Sequence, residues 1–179
     1  MAGLLALKKF DRAARKAKFG MAAVAGASLM LAIVTPASAD TVRWRTIIGI
    51  ESPGNVVGGI SGGGQPWSAL GGRARVDLAK SQISFDVDGL VLAGGNSIGT
   101  PDGVIQVKGT IVCDAGTPAP QVRDTPLVSL SPQGDAEFSG TTTLPIPSTC
   151  NSSNVVFLVR VGAGAWIANG SVRGSSRED

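Results

Sequence analysis

The chain has 179 residues, with 16 lysines and arginines against 13 aspartates and glutamates, and it contains no histidine and no tyrosine. Without histidine, Ser-His-Asp and Cys-His nucleophilic arrangements and histidine-bearing zinc sites are excluded. Without tyrosine, a common general acid and phenolic nucleophile is also missing.

The positive charge is concentrated at the N-terminus. Lys8, Lys9, Arg12, Arg15, Lys16 and Lys18 face only Asp11 there, so residues 40–179 keep 10 basic and 12 acidic side chains, a net charge of −2. The basic segment runs into MAAVAGASLMLAIV, residues 21–34. That run is shorter than the roughly 20 apolar residues of a membrane-spanning helix. Thr35 and Pro36 follow, then the small-x-small triplet Ala37-Ser38-Ala39. The pattern predicts a bacterial Sec-type signal peptide over residues 1–39, cut after Ala39, with secretion to the periplasm or medium; an uncleaved anchor is the alternative. No cysteine follows the run, so lipidation at the cut is not indicated, and Arg15-Lys16 is not a twin-arginine pair.

The remaining 140 residues suit a single domain, predicted over 40–172 with a flexible tail at 173–179. Cys113 and Cys150 are the only cysteines. In an exported chain they read as a disulfide, with free thiols or intermolecular pairing as alternatives. Such a bridge would stabilise the fold by about 4 kcal/mol at most on the chain-entropy model.

Beyond residue 40, short β-branched runs separated by Gly, Pro, Asn and Asp predict an all-β domain: a β-sandwich or barrel-like antiparallel fold of about eight strands. VRWRTIIGI (42–50) opens it, with ESPGN (51–55) as a turn. ARVDLA (74–79) and ISFDVDG (83–89) alternate as a hairpin across Lys80–Gln82, with Ile83, Phe85 and Val87 facing opposite to Ser84, Asp86 and Asp88. LVLAGG (90–95) extends that strand or follows it, and NSIGTPDG (96–103) is a long turn before the strand VIQVKGTIVC (104–113). DAGTPAPQVRDTP (114–126), with three prolines, is predicted as an exposed loop. LVSLS (127–131) and DAEFSGTTTL (135–144) form a further hairpin, PIPSTCNSSN (145–154) is irregular, and VVFLVRV (155–161) and AWIANGSV (165–172) close the domain.

Seven glycines fall between Gly58 and Gly72. A phosphate-binding Walker loop needs a lysine directly after its last glycine, and the nearest here is Lys80; the dinucleotide spacing G-x-G-x-x-G and its following helix are also missing. The glycines therefore read as backbone freedom or close approach. Trp67 inside this loop is a candidate ligand-binding residue: either an anchor over one end of the core or an exposed platform for stacking a sugar ring.

Carboxylates are what remains for chemistry. Asp86 and Asp88 are two apart on one strand face, about 7 Å, within the range of glycosidase pairs, although alternation alone explains them. With Asp77 and Asp135 they define a carboxylate-dependent, glycan-type hydrolase as the alternative function. Asp124-Thr125-Pro126 has Pro where aspartic proteases have Gly, and in a single copy it reads as loop. Ser84-x-Asp86-x-Asp88-Gly89 matches the start of a calcium loop, but its twelfth position is Gly95 rather than Glu. Asn151-Ser152-Ser153 and Asn169-Gly170-Ser171 fit glycosylation sequons, which matter only in a eukaryotic route. No metal site, catalytic residue or cofactor is predicted. Arg43 and Arg45 flank Trp44 on a solvated strand face, and the scattered arginines speak against nucleic acid.

The run GRARVDLAKSQISFDVDGL and the closing AWIANGSV resemble the chordin-type repeat domains of exported bacterial proteins, without the histidines such domains carry. The resemblance implies a non-enzymatic β domain and assigns no site residue. The sequence thus predicts a binding or structural β domain whose loops 54–72, 94–103 and 114–126 present a surface to a protein or polysaccharide. Expressed in a Sec-competent bacterium, the chain should be recovered outside the cytoplasm with Asp40 as its first residue by N-terminal sequencing; recovery of the intact chain in the membrane would favour the anchor.

Overall fold

A computed structural model describes residues 41–173. The predicted signal peptide with its cleavage point, and residues 174–179 of the predicted tail, lie outside the described residues. Thirteen strands follow one another: β1 (Thr41–Gly49), β2 (Val56–Val57), β3 (Ile60–Ser61), β4 (Trp67–Ser68), β5 (Gly71–Asp77), β6 (Gln82–Asp88), β7 (Val91–Leu92), β8 (Gln106–Cys113), β9 (Gln121–Asp124), β10 (Val128–Ser129), β11 (Ala136–Thr141), β12 (Val155–Val161) and β13 (Trp166–Arg173). The described residues form no α-helix, and the domain is all-β as expected.

Eight strands form one antiparallel sheet in the order β10-β8-β12-β13-β1-β5-β6-β11, with β9 also paired to β8, and the sheet curls into a half-barrel. The curl follows from what the strands must bury. Alternation puts Trp44, Phe85, Phe138 and Phe157 on the inner face, where they touch in series: Trp44–Phe157 at 5.7 Å, Phe157–Phe85 at 5.5 Å and Phe85–Phe138 at 6.0 Å between ring centroids. β12 and β6 are not sheet neighbours, so Phe157 meets Phe85 across the interior rather than along a ladder. Opposite them β8 carries Gly109, where an added β-carbon would lie 2.7 Å from Phe85 Cε1 and 3.1 Å from Phe157 Cε2. Gly170 gives Trp44 similar room on β13.

The two edges of the sheet are joined in sequence by the β10–β11 turn. Ser131 N–H donates to Asp135 O, and Leu90 N–H to Gly134 O at 2.8 Å. Gly134 has φ +88°, and a β-carbon there would sit 2.4 Å from the Leu90 carbonyl oxygen, so the turn requires glycine. Near the other end of these strands, Thr143 N–H and its hydroxyl both donate to Asp124 O, and Arg123 Nε to Pro145 O. The predicted disulfide joins Cys113 at the end of β8 to Cys150 in the irregular stretch, with Cα atoms 5.3 Å apart.

Two segments depart from the sequence reading. The stretch 114–126, expected to be an exposed loop, contains β9, paired with β8 over Thr110–Cys113. Within β9 only Val122 is apolar, so no alternation marked it; the outer edge of β8 supplies the strand with its hydrogen-bonding partner. The glycine-rich segment is also not featureless. Its β2–β3 hairpin folds over β8, and Gly58 at the tip, with φ +56°, lies so close to Val112 that a β-carbon would clash with Cγ1. Val112 and Leu158 alternate with inward residues yet are fully buried.

Gly109→Val should destabilise the domain by about 1–3 kcal/mol in urea unfolding through overpacking against both phenylalanines. Gly116→Ala, with nothing within 4 Å of the added carbon, should stay within about 0.5 kcal/mol of wild type.

Candidate functional site

The outer face of β1, β5, β6 and β11 carries the densest charge pattern of the described domain. The alternation that buries Val42, Trp44, Ala74, Val76, Ile83 and Phe85 turns Arg43, Arg73, Arg75, Ser84 and Asp86 outward. Register sets these side chains in two rows across the sheet. Arg43 stands opposite Arg75, Arg75 opposite Ser84, and Ser84 opposite Ser139. In the adjacent row Arg73 stands opposite Asp86, and Asp86 opposite Glu137. Arg45, two positions beyond Arg43, joins Arg43, Arg73 and Arg75 around one open depression of about 380 Å³, with Ser84 and Asp86 at its border. Neighbouring depressions continue the face toward Gln82 and Thr141 on one side and Glu137 and Phe138 on the other. The basic half thus continues into a hydroxyl-bearing row and an acidic row lying side by side.

Arg73 Nε donates to Asp86 Oδ1 at 2.8 Å, but the Arg73 side chain is 80% exposed. An ion pair so wet contributes little to stability, and its guanidinium keeps further donors for a ligand.

The four aspartates of the hydrolase alternative have different settings. Asp77 caps the β5–β6 turn, accepting Lys80 N–H at 3.0 Å and lying 3.1 Å from Lys80 Nζ; those bonds from the Lys80 backbone and ammonium hold its carboxyl below the usual range. Asp135 organises the β10–β11 turn, accepting from Gly89 N–H and the Ser131 hydroxyl. Asp86 is paired to Arg73, and Asp88 is exposed at the end of β6. Asp86, Asp88, Asp135 and Glu137 do line one shallow depression of about 410 Å³ beside the β10–β11 turn. It is an open depression on the surface and not a closed cleft.

Trp67 is 6% exposed. Its backbone N–H donates to Ile50 O at 2.8 Å and its backbone pairs with Leu92 between β4 and β7, and the buried ring presents no open stacking face. The glycine-rich segment touches both other predicted binding loops, placing Pro66 against Gly94 and Gly59 near Pro120. Ser84, Asp86 and Asp88 lie on the regular strand β6, and no group of three or more His, Cys, Asp or Glu among the described residues could hold a metal ion.

The Asp-Thr-Pro tripeptide is a structural node. Asp124 accepts from the Thr110 hydroxyl at 2.7 Å and lies 2.8 Å from Lys108 Nζ and 3.0 Å from Arg160 Nη1. Thr125 Oγ1 accepts Gly109 N–H at 2.9 Å, tying the same node to the strand beneath the aromatic series. Burial pushes the Asp124 carboxyl up, but Lys108, Thr110 and Arg160 together outweigh it and hold it below its ordinary value.

The sequence reading saw Arg43 and Arg45 but missed Arg73 and Arg75. The available signal was repetition: RWR at 43–45 and RAR at 73–75 each put two arginines on one face of a strand, and the strands turn out to be neighbours. No protein-family model, curated protein or solved structure matches the chain.

Because the folded-state pKa of Asp124 is depressed, its stabilisation is present above the unfolded value near 3.9 and is lost as pH falls through the folded value. Asp124→Asn should therefore be less stable than wild type at pH 7, with the gap in urea midpoint closing on acidification below about pH 4; a gap independent of pH would contradict this assignment.

Proposed function

We propose that this chain is an exported bacterial β domain that acts by binding a protein or polysaccharide partner rather than by catalysis, with the outer face of β1, β5, β6 and β11 as its binding surface. The observation that carries the reading is the convergence of Arg43, Arg45, Arg73 and Arg75 on one open depression. Guanidiniums present rigid forks of donors, suited to recognising oxygen-rich ligands. The disulfide fits an oxidising, extracytoplasmic location, and the basic leader with its apolar run and Ala37-Ser38-Ala39 supplies a route there. No helix among the described residues is long and apolar enough to cross a membrane.

The chain has no histidine or tyrosine, and the Asp86 side chain is 37% exposed and engaged by the Arg73 guanidinium. Processed protein run through gels cast with individual polysaccharides should be retarded by at least one of them, with no reducing ends released from any. Release of reducing ends that is abolished by Asp86→Asn would establish the hydrolase instead.

A further inference from the structure

Resting on the binding reading, we propose that the ligand of this face is an acidic polysaccharide: a sugar polymer with carboxylate or sulfate groups separated by neutral hydroxyl-bearing stretches. Three features of the face define that class. First, the basic half is a two-by-two arrangement. Residues two apart on a strand are spaced by about 7 Å, and adjacent strands by about 5 Å, so the guanidiniums of β1 and β5 can address the same oxyanion from two sides. Arg43 and Arg75, which stand opposite each other, are the centre of that arrangement.

Second, the charge is bounded. Beyond the arginines the two rows continue side by side toward β11, one through Ser84 and Ser139 and the other through Asp86 and Glu137. The serine hydroxyls there can donate to and accept from sugar hydroxyls, and the carboxylates can accept from them.

Third, the face is open and continuous rather than a closed pocket: the depressions share Arg73, Arg75, Ser84, Asp86 and Ser139, so a chain can lie across all four strands. Nucleic acid without sequence preference is held by stacking on displayed aromatic rings, and Trp44, Trp67 and Trp166 are all buried.

The test uses the processed chain, residues 40–179, in affinity electrophoresis and calorimetry. The probes are polygalacturonate, alginate and chondroitin sulfate, with fully methyl-esterified polygalacturonate as the neutral counterpart and a single-stranded and a duplex oligonucleotide as the phosphate source. At least one acidic glycan should bind, its affinity should fall with added salt, and esterification should weaken binding about tenfold or more. The Arg73→Gln/Arg75→Gln double variant should lose about tenfold or more, with unchanged circular dichroism and urea midpoint because both side chains are exposed. Arg73→Lys/Arg75→Lys should fall between, keeping charge without the fork. The proposal is overturned if no acidic glycan binds, if the double glutamine variant binds as wild type does, or if an oligonucleotide binds more tightly. Equal binding of esterified and free polymer would overturn the acidic specificity while leaving the binding reading intact. Cleavage of any polymer would remove the binding reading itself.

Discussion

The contact of Phe85 and Phe157 with the bare backbone of Gly109 is the constraint on which the architecture depends. A half-buried antiparallel sheet can remain open and cover its apolar face with another layer, but this chain has no α-helix among the described residues to provide one. Its apolar face must therefore be covered by its own opposite side. Phenylalanines from strands on the two flanks meet at 5.5 Å, and the glycine on β8 removes the side chain that would hold them apart. A few large rings thus fill an interior that smaller residues would leave void.

Curling brings the two outermost strands toward each other, and the remaining devices fix them there. The β10–β11 turn joins the edges directly, Asp124 gathers Thr110, Lys108 and Arg160 on β8 and β12, and the disulfide holds the end of β8 to the irregular stretch before β12. Burying ionic groups in this way is of modest net benefit, but losing one partner leaves the others poorly compensated. With each edge tied, the sheet offers little backbone for strand addition by a partner. Recognition is left to side chains on the outer face, where alternation leaves positions that packing does not dictate. The arginine pairs occupy such positions.

Much of this was legible in the sequence because alternation is a strong signal. ARVDLA and ISFDVDG declared both their strands and their buried faces, and VVFLVRV matched β12 to its limits. The bridge between Cys113 and Cys150 followed from the count of two cysteines and the export expected of the chain. What escaped was set by partners distant in sequence. β9 has almost no apolar content, and its strand conformation comes from the unpaired edge of β8. Trp67 could be read as anchor or platform because a tryptophan between glycines gives no sign of what lies beneath it; in the fold its side chain is buried. The candidate site escaped for a similar reason: each R-x-R reads as one solvated face, and only the adjacency of β1 and β5 makes four arginines a surface.

Nuclear Overhauser spectroscopy on the isotopically labelled processed domain would test the central claim most directly. Ring protons of Phe85 should show strong cross-peaks to both α-protons of Gly109 and to the Phe157 ring, contacts that arise only if β6 folds over β8. Cross-peaks from Phe85 confined to β5 and β11, with none to Gly109, would mean that the sheet is open and that this account of the fold is wrong.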